Sequence, residues 1–195
     1  MNGRRQPIPT MGQGLAGKFL IAMPGLQDPN FEKAVLFVCT HNKAGALGLV
    51  INQPHIAEMA EVLLPLGMAW DRPEPPQVFQ GGPMAMDRGF MLYESDLDYP
   101  GHLRICEDLF LGTNPEILRH LVQADDRGRL LFALGYSGWG SGQLEMELRE
   151  NVWLVSALDR RILFDLPIPY RWESAIRLLG VDPRHLVDPG RGSVH

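Results

Sequence analysis

Short apolar runs separated by turn residues divide this chain into strand-sized and helix-sized pieces. Phe19, Leu20 and Ile21 form the first run, stopped by Pro24. Val35 to Val38 read as a β-strand from their branched and aromatic content. "NKAGALG" then supplies turn residues and "ALGLVINQ" a second strand, which together predict a hairpin. "VFQGG", "RGFMLYES" and "GHLRICEDLFLG" each read as one further strand, and "NVWLVSAL" as the last. "LLFALGY" is almost continuously apolar, the composition of a strand covered on both faces.

Helical spacing appears in three places. In "HIAEMAEVLLPLG" the residues Ile56, Met59, Ala60, Leu63 and Leu64 share one face, and Pro65 ends or kinks the helix. In "TNPEILRHLVQA" Thr113 or Asn114 caps the start, Pro115 suits the first turn, and Glu116 completes a capping box with Thr113. Its apolar face is Ile117, Leu118, Leu121 and Val122, and "DDRGR" ends it. "RWESAIRLLG" turns Trp172, Ala175, Ile176 and Leu179 inward, with Gly180 as the stop. Residues 1–13 and 188–195 carry no hydrophobic period and read as flexible tails around one domain at 14–187. Strand pairs interleaved with helices indicate an α+β (mixed α/β) fold.

Composition narrows the function. The chain has 195 residues, a net charge of −5 and three lysines against fifteen scattered arginines. Nucleic-acid affinity rests largely on Lys and Arg neutralising phosphates, so direct nucleic-acid binding is not expected. Arg4 and Arg5 are followed by the polar "QPIPTMGQG" rather than an apolar signal core, and no stretch is long enough to span a membrane. Cys39 and Cys106 sit singly in strand-like runs and read as reduced, mostly buried thiols, which points to a cytoplasmic setting, with a single disulfide between them as the weaker reading.

The densest small-residue stretch is "GYSGWGSGQLEMEL", residues 135–148. Around Ser137 the second glycine comes one position too early for a nucleophile elbow, and around Ser141 the leading glycine is replaced by Trp139. It matches neither dinucleotide nor P-loop spacing. Two readings remain: a tight turn built on Gly138, Gly140 and Gly142, or an anion site where Ser141 and the following amides open a helix. The tight turn is the expected one.

Other candidates are weaker. His41 and Asn42 end a strand before a glycine turn, with Asn52 on the paired strand as a polar partner for His41. "GGPMAMDRGF" carries Gly81, Gly82 and Pro83 beside Met84 and Met86, either a close-approach ligand loop or a long hairpin connection. Met84, Met86 and Met91 form either an adaptable surface or core filling. Glu94, Asp96, Asp98, Glu107 and Asp108 cluster with only Arg104 nearby to balance them. The six histidines lack any metal-ligand spacing, so neither metal nor cofactor is expected.

The stretches "FLIAMPGLQDPNFEKAVLFVCTHNKAGALGLVINQP", "QGGPMAMDRGFMLYES", "LFALGYSGWGSGQLEMELRENVWL" and "RWESAIRLLGVDP" resemble, in order, the AlgH/YqgE family of bacterial proteins. The resemblance implies a bifurcated, mostly antiparallel sheet curled into a pseudo-barrel with helices packed outside. It implies no agreed biochemical activity and no established catalytic residues; the label of transcriptional regulator follows from a proposed role in regulating alginate production. Thr40 stands where Glu commonly precedes His-Asn in that family, and Tyr93 where His commonly follows Phe-x-Leu. An acid–base site built on those two positions would be missing here. The expected function is non-enzymatic recognition of a small ligand or partner protein through turn-centred surfaces at 23–31 (Pro24, Asp28), 41–45, 81–83 and 137–143. The alternative is a hydrolase or transferase using His41, Asn52, Asp28 or Ser137.

Overall fold

The computed structural model describes residues 14–71, 74–97, 99–123 and 128–187, so both proposed tails and Asp98 lie outside the described residues. Nine strands form one sheet: β1 (Lys18–Ala22), β2 (Val35–Asn42), β3 (Gly45–Val50), β4 (Val78–Gln80), β5 (Met84–Glu94), β6 (Leu103–Cys106), β7 (Leu109–Gly112), β8 (Leu130–Gly140) and β9 (Trp153–Ala157). The order is β6-β7-β5-β8-β3-β2-β1-β9, antiparallel throughout, and β4 runs parallel to β8 off that path. The first half of β8 has β4 on one side and β5 on the other, whereas Ser137–Gly140 pair with β3. That change of partner is where the sheet bifurcates.

Strand alternation sorts the core into layers. Phe19, Ile21, Phe37, Leu49, Phe90, Leu92, Leu131 and Ala133 share one cluster, filled from above by Trp172, Ala175 and Ile176 of α4 (Ile168–Arg177). This is the inside of the curl. On the outer face, Leu20, Leu36, Val50, Trp139 and Trp153 pack with Leu144 of α3 (Gln143–Arg149). Met91, Tyr93, Phe110 and Phe132 pack under α1 (Met59–Leu63) and α2 (Pro115–Gln123). A short π-helical turn spans Arg161–Asp165, closed by Leu166 N–H to the Arg161 carbonyl at 2.7 Å, and α5 (Pro183–Val187) ends the described chain.

Leu131, Ala133 and Trp139 have the same parity on β8, yet the first two face inward and Trp139 outward. Gly135 lies between them at φ +75° and reverses the alternation. Opposite it, β5 skips from Met84 to Gly89 in register, and residues 85–88 bulge out with Ala85 at φ +45°.

The edges of the curl are joined by charge rather than by ladder bonds. Arg160, after β9, donates to Glu94 at the end of β5 and to Asp108 in the β6–β7 turn. Arg129 bridges Glu94 at 3.6 Å and Asp165 at 3.0 Å. Two members of the acidic cluster seen in the sequence, Glu94 and Asp108, are therefore paired with arginines from distant segments.

Several expected elements differ in extent. "GHLRICEDLFLG" is two strands with a tight turn, not one. The first helix begins only at Met59 and runs into a 3-10 turn at Leu64–Leu66 around Pro65, so Met59 and Leu63 are buried while Ile56 (97% exposed), Ala60 and Leu64 (77%) are not. Asn114 alone caps α2, its Oδ1 accepting from the Glu116 amide at 2.9 Å. Both cysteines are unpaired thiols, and burial pushes the thiol pKa of each upward. Among the described residues no helix is long and apolar enough to cross a membrane.

Candidate functional site

The glycine-serine stretch is not a loop. Residues 135–140 are the second half of β8, and only Ser141 and Gly142 turn the chain into α3. Small residues are needed there because backbone meets backbone. A Cβ on Gly81 would lie 2.3 Å from the Gly135 carbonyl oxygen, and one on Gly82 2.3 Å from the Tyr136 carbonyl carbon. Both glycines serve strand packing, which leaves no space for a ligand against them. Ser137 is buried and donates its hydroxyl to the Gly81 carbonyl at 3.3 Å. Pro83 is exposed beside them.

The start of α3 is occupied by its own side chains. Gln143 Oε1 accepts from the Gly140 amide at 3.0 Å, and Gln143 Nε2 donates to Glu147 Oε1 at 3.0 Å. Glu147 Oε2 accepts both indole N–H groups, from Trp139 at 2.8 Å and Trp153 at 2.7 Å. One carboxylate thus pins the helix to β8 and β9. An anion approaching Ser141 would meet a seven-residue helix that carries Glu145 in its first turn and Glu147 behind it.

His41 is the most engaged of the candidates. Its Nδ1 accepts from the Leu15 amide at 3.1 Å, which leaves the ring proton on Nε2, donated to Glu145 Oε1 at 2.9 Å. A general base needs an uncommitted lone pair facing its substrate. Here that lone pair holds the backbone. The Glu145 carboxyl sits below the usual carboxylate range, through its own backbone amide first and then His41, with burial opposing. A depressed folded pKa adds stability above the unfolded value that is lost as pH falls through the folded one. We expect wild-type stability to fall from about pH 5 to about pH 3 more steeply than that of Glu145→Gln, by under about 1 kcal/mol because the side chain is exposed to solvent. Calorimetry across that range checks it.

Asn52 does not meet His41. The two lie at opposite ends of the β2–β3 hairpin, six residues of strand apart or about 20 Å. Asn52 Oδ1 instead accepts from the Val35 amide at 2.7 Å, and its Nδ2 donates to the Lys33 carbonyl at 2.8 Å. It closes the turn before β2, where Lys33 sits at φ +49°. Asp28 makes an Asx turn with Asn30, at 2.9 Å to its amide, in the same connection that starts at Pro24. Asn42 accepts from Ala44 at 2.8 Å.

Of the residues singled out in the sequence, Asn42, Gly138, Trp139 and Gly140 converge, on a shallow open groove of about 530 Å³ that also includes Thr40, Met84 and Tyr136. Pro24, Asp28, His41, Asn52, Gly81, Gly82, Pro83, Ser137, Ser141 and Gly142 do not line it.

A different concavity is better formed. It measures about 400 Å³ and lies between α1, the 85–88 bulge and α2. Val62, Pro65, Leu66, Met86, Met91, Leu118, Phe132 and Leu134 make it apolar, with Glu61 and Asp87 as its charged members. Sequence reading passed over it because it assembles side chains from four separate segments. The one hint was the methionine cluster, which splits: Met91 is core, whereas Met84 and Met86 are exposed at 45% and 56%.

Comparison with known proteins fits this architecture. A family model described as AlgH-like matches residues 19–184. The chain belongs to the AlgH-like family. It is 52% identical to a UPF0301 protein of Magnetococcus marinus, over 91% of this chain and 96% of that one. It is 41% identical to a UPF0301 protein of Pseudoalteromonas translucida, over 87% and 94%. The solution structure of the AlgH protein from Pseudomonas aeruginosa superposes with a TM-score of 0.73 at 39% identity, covering 97% of this chain and all of that one. A Corynebacterium diphtheriae protein shares the fold at 18% identity and TM-score 0.65. In this AlgH-like chain Thr40 and Tyr93 lie apart: Thr40 borders the shallow groove, whereas Tyr93 is fully buried under α2 with its hydroxyl 2.8 Å from His102 Nδ1.

Proposed function

We propose that this AlgH-like chain is a non-enzymatic binding protein of the cytoplasm that acts in regulation by recognising a small ligand or a partner protein. The observation that carries the reading is the apolar cleft between α1, the 85–88 bulge and α2, whose size falls in the range of ligand pockets. The polar candidates for catalysis support it indirectly, since Asn52 and Ser137 spend their hydrogen bonds on backbone groups and His41 is divided between the Leu15 amide and the Glu145 carboxylate. Two unpaired thiols suit a reducing compartment. An effect on gene expression would then pass through a partner, because a chain of net charge −5 with three lysines is poorly suited to DNA.

Isotope-labelled protein titrated with a set of small apolar and amphipathic compounds tests this. Shifts at Val62, Met86, Gly89 and Leu118 are the expected result. Shifts confined to the shallow groove or to the His41 region, with the cleft silent, would sink it.

A further inference from the structure

We infer that the cleft and the ridge beside it form a docking site for a basic amphipathic helix of a partner protein; this rests on the binding-protein reading above. Three observations converge on that occupant.

The first is extent. A second concavity of about 770 Å³ lies on the other side of α1, and Ala57 borders both. Ile56 and Leu64 border it, and they stand exposed at 97% and 77%. With Met86 they form an apolar surface on both flanks of one short helix, wider than a single small molecule covers. Large exposed apolar side chains grouped this way mark interaction surfaces, and methionine adapts to varied apolar partners.

The second is charge. Among the described residues, every Asp, Glu, Lys or Arg bordering the two concavities is acidic: Glu58, Glu61 and Asp87. The nearby cation Arg119 is committed, its Nε 3.7 Å from Glu116 and its Nη2 3.5 Å from the Leu66 carbonyl. Arg88 adjoins Asp87 on the bulge but does not border the cleft. An apolar floor with an acidic rim complements a helix carrying Leu-type residues on one face and Lys or Arg beside them.

The third is backbone pairing. Of the β5 residues that border the cleft, Met91 is paired with both β7 and β8, Gly89 with β8, and Met86 and Asp87 sit in the 85–88 bulge outside the ladder, so an extended peptide finds no regular strand edge to join. A helix needs none. It can lie between α1 and α2 and insert side chains spaced at i, i+3 and i+4.

The test uses the full chain and two fluorescein-labelled synthetic peptides of about 18 residues, helical in pattern, one of Leu and Lys and one of Leu and Glu. Anisotropy titration should show the Leu/Lys peptide binding at least about tenfold more tightly, with affinity falling as salt rises. It should shift the methyl signals of Met86 and Met91. Glu61→Gln with Asp87→Asn should bring the Leu/Lys peptide close to the Leu/Glu level at nearly unchanged Tm, since Gln retains the capping-box bond that Glu61 gives the Glu58 amide. Met86→Ser, on the exposed bulge and away from α1, should weaken binding without touching the helix.

Equal affinity for the two peptides, or shifts mapping elsewhere, would overturn the inference. So would concentration-dependent self-association abolished by Met86→Ser, which would make a second copy the occupant. Neutral Nile red separates the two levels. If the dye shifts the cleft methyls and the Leu/Lys peptide does not, the cleft stands as a binding site and the basic partner falls. If neither does, the binding-protein reading falls as well.

Discussion

Alanine at Gly135 is expected to destabilise the protein by at least about 3 kcal/mol, lowering Tm by roughly 6–12 °C for a chain of this size. Two costs combine. The residue sits at φ +75°, where a Cβ strains the backbone by about 1–2 kcal/mol. That Cβ would also lie 2.5 Å from the Gly82 carbonyl oxygen and 3.0 Å from that of Met84, both backbone atoms that cannot swing aside. The strand would have to relax toward regular alternation, and then either Leu131 and Ala133 or Trp139 would face the wrong layer. Gly142→Ala is the control: its φ is +74°, nearly the same, but nothing lies within 4 Å of the added carbon. It should cost about 1 kcal/mol. Denaturant titration of both variants separates strain from crowding. Equal losses would show that the reversal of β8 does not depend on close backbone approach.

Arg171→Ala is expected to cost about 3–5 kcal/mol. The guanidinium is buried on α4, donates through Nε to the Leu166 carbonyl at 2.8 Å and through Nη1 to the Ile51 carbonyl, and lies 5.1 Å from the Phe79 ring centroid. It joins the end of the π-helical turn, the exit of β3 and β4 at one point. Burial lowers its pKa to about 10, with Asp165 opposing the shift. Since the folded pKa lies below the unfolded one, the charge-burial cost is fully present at neutral pH and is relieved only as pH rises past about 10. The two carbonyl bonds and the stacking therefore act against a standing desolvation cost. Removing the side chain leaves both carbonyls unpaired and a cavity beside Phe79. Arg171→Lys should recover less than half of the loss, because an ammonium neither forks to two carbonyls nor stacks. Chemical denaturation followed by Trp172 fluorescence reads both, and a loss under about 1 kcal/mol for alanine would refute the pinning role.

Much of the fold was legible in the pattern. The β2–β3 hairpin, the apolar strand at "LLFALGY" and the inward face of α4 follow from local composition and period. The failures share one cause. Ile56 and Leu64 keep helical spacing with Met59 and Leu63, but spacing is blind to where a helix starts, and Pro65 leaves only five residues in α1. The acids at 94 and 108 looked unbalanced because Arg129 and Arg160 lie 21 or more residues further along. The "GYSGWGSG" stretch looked like a turn because glycine density marks turns far more often than strands. In β8, Gly135 permits close approach of the Gly82 and Met84 carbonyls, and Gly45 on β3 permits close approach to Trp139 and Gly140.

What the sequence alone determines here is local: where strands and helices can form, and that the chain suits an α+β fold. Periodicity and charge are properties of neighbouring residues, so they survive without coordinates. Only the tertiary structure decided which polar groups are spent. Leu15 takes the lone pair of His41, Val35 and Lys33 take Asn52, and Gly81 takes Ser137. It also assembled the cleft from α1, β5, α2 and β8, segments that no local pattern connects. A hydrogen bond or a concavity depends on distance in space, and distance in space between remote residues is set by packing.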